Sequence, residues 1–197
     1  MGNVFWDNEQ LLKDAQVENL LASVKPFKTG VKNTLFYHQE IPVAPFKEHD
    51  MSSKTITSFL HLLPHKDDYM ALQALLPEYT MKAYGAGAID GWMPTLPTMY
   101  QTMQDSLFVL HNKPGGDGFG HVVHTAAMLG RPLIINYKDY KNTLAGDFLI
   151  PDVTCIDIEG APLAQVAEKI RYFSDPVRYR SMSASVTNKF RELVDYE

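Results

Sequence analysis

The sequence predicts an α/β protein, a three-layer α/β/α sandwich around a mainly parallel sheet, and two observations point there. From residue 51 onward, short apolar runs alternate with stretches whose apolar residues recur at helical spacing. Strands separated in this way by helices pair parallel through right-handed crossovers. The turns after the strands carry glycine, most densely at Gly115, Gly116, Gly118 and Gly120, where the backbone must turn tightly. With 197 residues, 45% hydrophobic and 21% charged, the chain can bury a full core without covalent staples.

The elements follow in order. Residues 9–24 read as a helix, with Val17, Leu20, Leu21 and Val24 on one stripe. The stretch from Lys25-Pro26 to Lys32-Asn33 interrupts that pattern, and Leu35-Phe36-Tyr37 is a short apolar run. A loop with Pro42 and Pro45 then runs to Asp50 and marks a boundary. Residues 1–50 are therefore expected as an N-terminal helix and linker, and 51–197 as the folded domain.

Within that domain, Thr55–Leu60 reads as a strand and 67–76 as a helix, on the spacing of Tyr69, Leu72, Leu75 and Leu76. Thr80–Tyr84 is a second strand, ended by Gly85-Ala86-Gly87. A helix over 96–104 leads to a strand over 107–111, the glycine loop, a helix to Leu129 and a strand over 133–136. A strand over 153–158 and a helix marked by Leu163, Val166, Ile170 and Phe173 come next. A final helix carries Tyr179, Met182, Val186, Phe190 and Leu193 on one stripe. Ligands of such sheets sit outside the carboxyl ends of the strands, which directs attention to loops 61–67, 85–95, 112–120 and 136–147.

The glycine loop carries the most chemistry. It follows a strand and opens a helix, so the free N–H groups of the first helical turn and the helix dipole favour an anion such as a diphosphate. The segment Gly115-Gly116-Asp117-Gly118-Phe119-Gly120-His121 through Gly130-Arg131-Pro132 resembles the signature of retaining GT-B glycosyltransferases of the group 1 type. In that signature an acidic residue precedes Phe-Gly, small residues fill the following helix, and Gly-x-Pro comes before the next strand. The resemblance runs from Lys54 to the C-terminal helix and implies a single Rossmann-like GT-B half, the C-terminal domain that binds a nucleotide sugar.

The resemblance also implies roles. Lys66 matches a phosphate-contacting lysine; Asp117 takes the place of the first glutamate, facing the donor sugar; Gly118, Phe119 and Gly120 present amides to the diphosphate; His121 stands beside them. Thr125 occupies the position of the second glutamate, which holds the ribose in the family. A hydroxyl there reaches less far and brings no charge. Gly85, Gly87 and Tyr100, with Trp92 and Met93, are expected on the nucleobase side. No catalytic base can be named.

Other classes are excluded or ranked lower. A net charge of −5 without a basic cluster argues against nucleic-acid binding. No apolar stretch approaches the roughly 20 residues of a membrane span, and no signal peptide begins the chain. The single Cys155 fits a reducing, cytoplasmic location. His121 and His124, with His61 and His65 flanking the first loop, lack a third or fourth placed ligand, so no metal is expected. No cofactor is expected beyond the nucleoside-diphosphate sugar itself. Residues 1–50 are too few for the second domain that GT-B enzymes use, so a missing N-terminal domain, a partner subunit or a homodimer is expected to complete the site. A non-catalytic nucleotide- or phosphate-binding module is the alternative. A sugar-nucleotide epimerase ranks lower, and a dinucleotide oxidoreductase lowest, because its acidic partner residue is missing.

Overall fold

The computed structural model describes residues 16, 19–22, 33–36 and 47–193. Near the N-terminus, β1 (Asn19–Ala22) pairs in parallel with β2 (Asn33–Phe36), Asn19 opposite Asn33 and Ala22 opposite Phe36. A strand at 19–22 corrects the helix expected over 9–24. Leu20-Leu21-Ala22 is a short apolar run, whose spacing does not separate a strand from a helical stripe; pairing with a second run decides it. The other residues of that expected helix, Gln16 apart, lie outside the described residues.

The main domain alternates as the sequence predicts. It runs β3 (Thr55–Phe59), α1 (Lys66–Leu75), β4 (Thr80–Tyr84), α2 (Leu96–Gln104), β5 (Phe108–Leu110), α3 (His121–Met128) and β6 (Leu133–Ile135). It continues with α4 (Ala145–Phe148), β7 (Cys155–Asp157), α5 (Leu163–Phe173) and α6 (Pro176–Leu193). Among the described residues the sheet has five strands in the order β4-β3-β5-β6-β7, every pair parallel. Thr55 faces Thr80, Ile56 faces Phe108, Val109 faces Leu133, and Leu133 faces Cys155 across the ladders. The last strand is shorter than the 153–158 expected, because Asp152 turns the chain at φ 60° and its N–H bonds the Cys155 carbonyl at 2.7 Å. The loop expected over 136–147 holds a short 3-10 turn at Tyr137–Asp139 and the start of α4.

Side chains alternate across a strand, and the sheet accordingly faces two cores. Ile56, Phe108, Leu110, Ile134 and Ile156 pack with Leu72 of α1 and with Val166 and Ile170 of α5. Val109, Leu133, Ile135 and Cys155 pack on the other face with Val123 and Ala127 of α3 and with Met103 of α2. The long α6 closes both: Tyr179 and Met182 join the first core, Val186 and Phe190 the second.

Local chemistry sets the ends of the helices that flank the site. The Thr95 hydroxyl accepts the Thr98 N–H at 3.2 Å and starts α2, a cap worth about 1 kcal/mol. After α3, Gly130 adopts φ 64°; its N–H bonds the Ala127 carbonyl at 3.0 Å, and the Arg131 N–H bonds that of Ala126 at 2.8 Å. This paired closure needs a left-handed residue and explains the Gly-x-Pro that precedes β6. Arg131 is itself buried, and its guanidinium donates to the carbonyls of Gln104 and Lys47 at 2.7 to 3.0 Å. It ties the loop before the sheet to the end of α2.

Candidate functional site

Strand order reverses between β3 and β5, since β4 lies on one side of β3 and β5 on the other. The crevice above such a switch point is where ligands of open parallel sheets bind, and the glycine loop leaves β5 there. Gly116 has φ 70°, and a Cβ on it would run into the backbone carbonyl of Asp139. The Gly115 N–H reaches the Asp139 carboxylate at 3.3 Å. The loop is thus moulded against the 3-10 turn that follows β6. Gly120 opens α3, and a Cβ there would lie 2.8 Å from both carboxylate oxygens of Asp117.

Helix α3 starts without a side-chain cap and without an acidic residue in its first turn. Its leading N–H groups and the positive end of its dipole face the loop in which the Asp117 carboxylate also sits. Asp117 turns toward two neighbours: the Lys113 ammonium at 3.2 Å and the Nε2 of buried His111 at 3.7 Å. The second distance is too long for a hydrogen bond. Burial alone would raise the Asp117 carboxyl, but His111 and the Lys113 charge outweigh it and hold it below the ordinary carboxylate range. Burial pushes His111 down, against the pull of Asp117. Tyr140 supports the strand end by donating to the His111 carbonyl at 2.8 Å. Neither His111 nor Lys113 was evident as a partner of Asp117 from the sequence, because only the folded loop brings them together.

Beside the start of α3 lies a cavity of about 370 Å³ whose walls include Phe59, His61, Trp92, Met93, Met99 and His121. Aromatic rings dominate it. Phe59 stacks on Tyr84 at 5.8 Å between centroids, and His61 on Trp92 at 5.1 Å with 14° between planes. The His61 Nδ1 accepts the Ala86 N–H at 3.2 Å, which fixes the neutral ring as the Nε2–H tautomer. Asp90 anchors the loop bearing Trp92, accepting from the Ala83 N–H at 2.8 Å and from Lys82 at 2.9 Å. Gly85 lines the same cavity; a Cβ there would come within 2.6 Å of the Leu60 carbonyl oxygen.

The structure thus gathers Asp117, Gly118, Phe119, Gly120 and His121 in one loop and helix start, with His121 also on the cavity wall. Phe119 itself is buried against Phe148 and Phe190. Lys66 begins α1, is exposed, and lines neither this cavity nor a smaller one between Ser58, Tyr69 and Asn136. Thr125 lies one turn after His121 in α3 and is fully buried, its hydroxyl without a hydrogen-bond partner. Gly87 is exposed, outside the cavity wall, and a Cβ on it would meet Leu62. Tyr100 is half-buried and lines neither cavity. Trp92 and Met93, which the sequence placed beside Tyr100, do line the larger one. His124 is buried edge-on against Phe119 and Phe190, in the core and away from His121's cavity. Among the described residues no group of three His, Cys, Asp or Glu side chains could hold a metal ion. Nor is any helix there long and apolar enough to cross a membrane.

No family model and no curated protein of similar sequence matches the chain. Solved structures do match in fold. TarM superposes with a TM-score of 0.70 at 15% identity, over 96% of this chain and 43% of its own. Anabaena Alr3699/HepE, crystallised with UDP and glucose, gives 0.69 at 12% identity, over 95% of this chain and 64% of its own. The C-terminal domain of the group 1 family glycosyl transferase LpcC from Francisella tularensis gives 0.52 at 12% identity, over 73% of this chain and 87% of that domain. The fold is that of one GT-B glycosyltransferase half. The chain spans less than two thirds of the length of TarM and of HepE.

Proposed function

We propose that this chain binds a nucleoside-diphosphate sugar as the donor half of a glycosyltransferase. The observation that carries the proposal is the meeting of a glycine-led helix start, with no acidic residue in its first turn, and an aromatic-walled cavity, joined at His121. The diphosphate would lie along Gly118, Phe119 and Gly120 at the positive end of the dipole of α3. Lys66 would bring the neutralising charge that a leaving diphosphate requires, by extending from the start of α1. Asp117, kept ionised beside Lys113, would accept hydrogen bonds from donor-sugar hydroxyls. The base would lie between the rings of the larger cavity, on the side of Gly85 and Trp92. That HepE was crystallised with UDP and glucose supports the choice of ligand class.

Because the chain spans under two thirds of TarM and HepE, we infer that the acceptor site and the catalytic base come from a second domain, a partner or a second copy. A cytoplasmic protein drawing on free nucleotide sugars fits the buried, reduced Cys155. One observation favours the alternative of a phosphate-binding module without turnover. Thr125 is sealed in the core, so the second anchor implied for the ribose has no open surface. Titration with UDP, GDP and ADP and their sugars, followed by assay of hydrolysis and transfer, separates the two. Selective binding with turnover supports the transferase, and binding without turnover in any complex supports the module.

A further inference from the structure

Beyond the donor site, the opposite face of the sheet holds a second cavity. It has a volume of about 190 Å³ and lies over the carboxyl ends of β3, β5 and β6, between the starts of α1 and α5. Strand alternation separates the two: Phe59 points to the larger cavity, and its neighbour Ser58 lines this one. Ser58 is 1% exposed and Tyr69 4% exposed, and the hydroxyls of both lack a hydrogen-bond partner in the protein. The side-chain oxygen of Asn136, on the same wall, is also buried and unpartnered. Buried polar groups are nearly always satisfied, and three orphans lining one cavity point to a ligand that satisfies them.

We propose that this cavity binds a neutral, polyhydroxylated ring of monosaccharide size, at a site separate from the nucleotide. The charges select against ions. Asp68 stands on the wall and would repel an anion. A cation would find a single carboxylate, already 3.9 Å from His65. The Asn136 oxygen and the Asp68 carboxylate accept hydrogen bonds, while the Ser58 and Tyr69 hydroxyls both give and take them. That set matches sugar hydroxyls. The rest of the wall, including Leu63, Leu110 and Ile158, is apolar and suits the C–H faces of a ring.

The test titrates the 197-residue chain with glucose, galactose, mannose and N-acetylglucosamine, using saturation-transfer NMR and calorimetry. At least one sugar binds the folded chain, and excess UDP does not displace it. The double variant Ser58→Ala/Tyr69→Phe keeps its melting temperature, since it loses only unpartnered hydroxyls, yet weakens binding at least about tenfold. Ala161→Leu, which narrows the cavity from its half-exposed wall, weakens binding as well, whereas Gly118→Val in the donor loop leaves it unchanged. Absence of binding by all four sugars at millimolar concentration overturns the proposal. So does displacement by UDP, or undiminished binding by both cavity variants.

Discussion

Gly116 lies so close to the backbone carbonyl of Asp139 that no Cβ fits between them. The glycine loop after β5 and the turn after β6 are therefore one moulded unit, and the loop's shape is set by a contact 23 residues away in sequence, from 116 to 139. Gly115 stands beside it at φ 73° with open space around its α-carbon. Gly116→Ala is expected to cost about 2–4 kcal/mol, from the left-handed strain plus the clash. Gly115→Ala should cost about 1 kcal/mol from strain alone. Urea midpoints of the two variants check this, and equal losses would mean that the Asp139 contact does not constrain the loop.

Trp92 is 64% exposed and yet stacked on His61. An exposed aromatic held in place at a cavity mouth adds little to folding but offers a ring to a planar base. Trp92→Ala should change stability by less than about 0.5 kcal/mol. It should weaken nucleoside-diphosphate binding by about 1–2 kcal/mol, in the range of base–aromatic stacking. Calorimetry on the variant reads both quantities; a large stability loss with unchanged affinity would make Trp92 a structural residue.

Acid sensitivity follows from two buried histidines. Burial depresses His111 below its ordinary 6.5, and burial with the nearby Arg131 charge depresses His49. The unfolded chain then takes up these protons before the folded one does. Stability is therefore full above 6.5 and falls as the pH drops below it, by up to about 1.4 kcal/mol per unit for each histidine. Asp117, held low, adds a separate loss confined to pH below its ordinary 3.8. Unfolding free energies measured from about pH 7 to pH 5 should decline, and His111→Asn should flatten the slope. A rise in stability on acidification would contradict the assignment of neutral, buried rings.

Thr125 offers a sharp contrast between core and ligand roles. Its hydroxyl is buried and unpartnered, so Thr125→Val removes a polar orphan at nearly constant volume. The expected outcome is unchanged or raised stability, by up to about 1 kcal/mol, with nucleotide affinity intact. A loss of affinity on this substitution would show that the helix opens to let the hydroxyl reach the ribose.

Much of the main domain was legible because its strands and helices obey simple periods. Val109 and Ile134 sit in short apolar runs that mark buried strands, and Leu163, Val166 and Ile170 recur at helical spacing that marks the face packed on a sheet. The glycine loop was legible because tight turns demand glycine. The strand at Asn19–Ala22 was not, since four residues carry too little periodicity and its partner lies at Asn33–Phe36. The site's electrostatics were hidden for a similar reason. His111, Lys113 and Asp117 meet only once the loop closes on Asp139. The orphan hydroxyls of Ser58 and Tyr69 stand on β3 and α1, and nothing in either segment alone reveals a shared cavity.

The most direct test of the donor site is calorimetric titration of the folded chain with UDP, GDP and ADP, repeated on Gly118→Val and Lys66→Ala. One nucleoside diphosphate is expected to bind selectively. At about 100 times its dissociation constant it should stabilise the fold by roughly 2.7 kcal/mol, and both variants should weaken it at least about tenfold. A well-folded chain that binds none of the three, or binds one equally well in both variants, would contradict it.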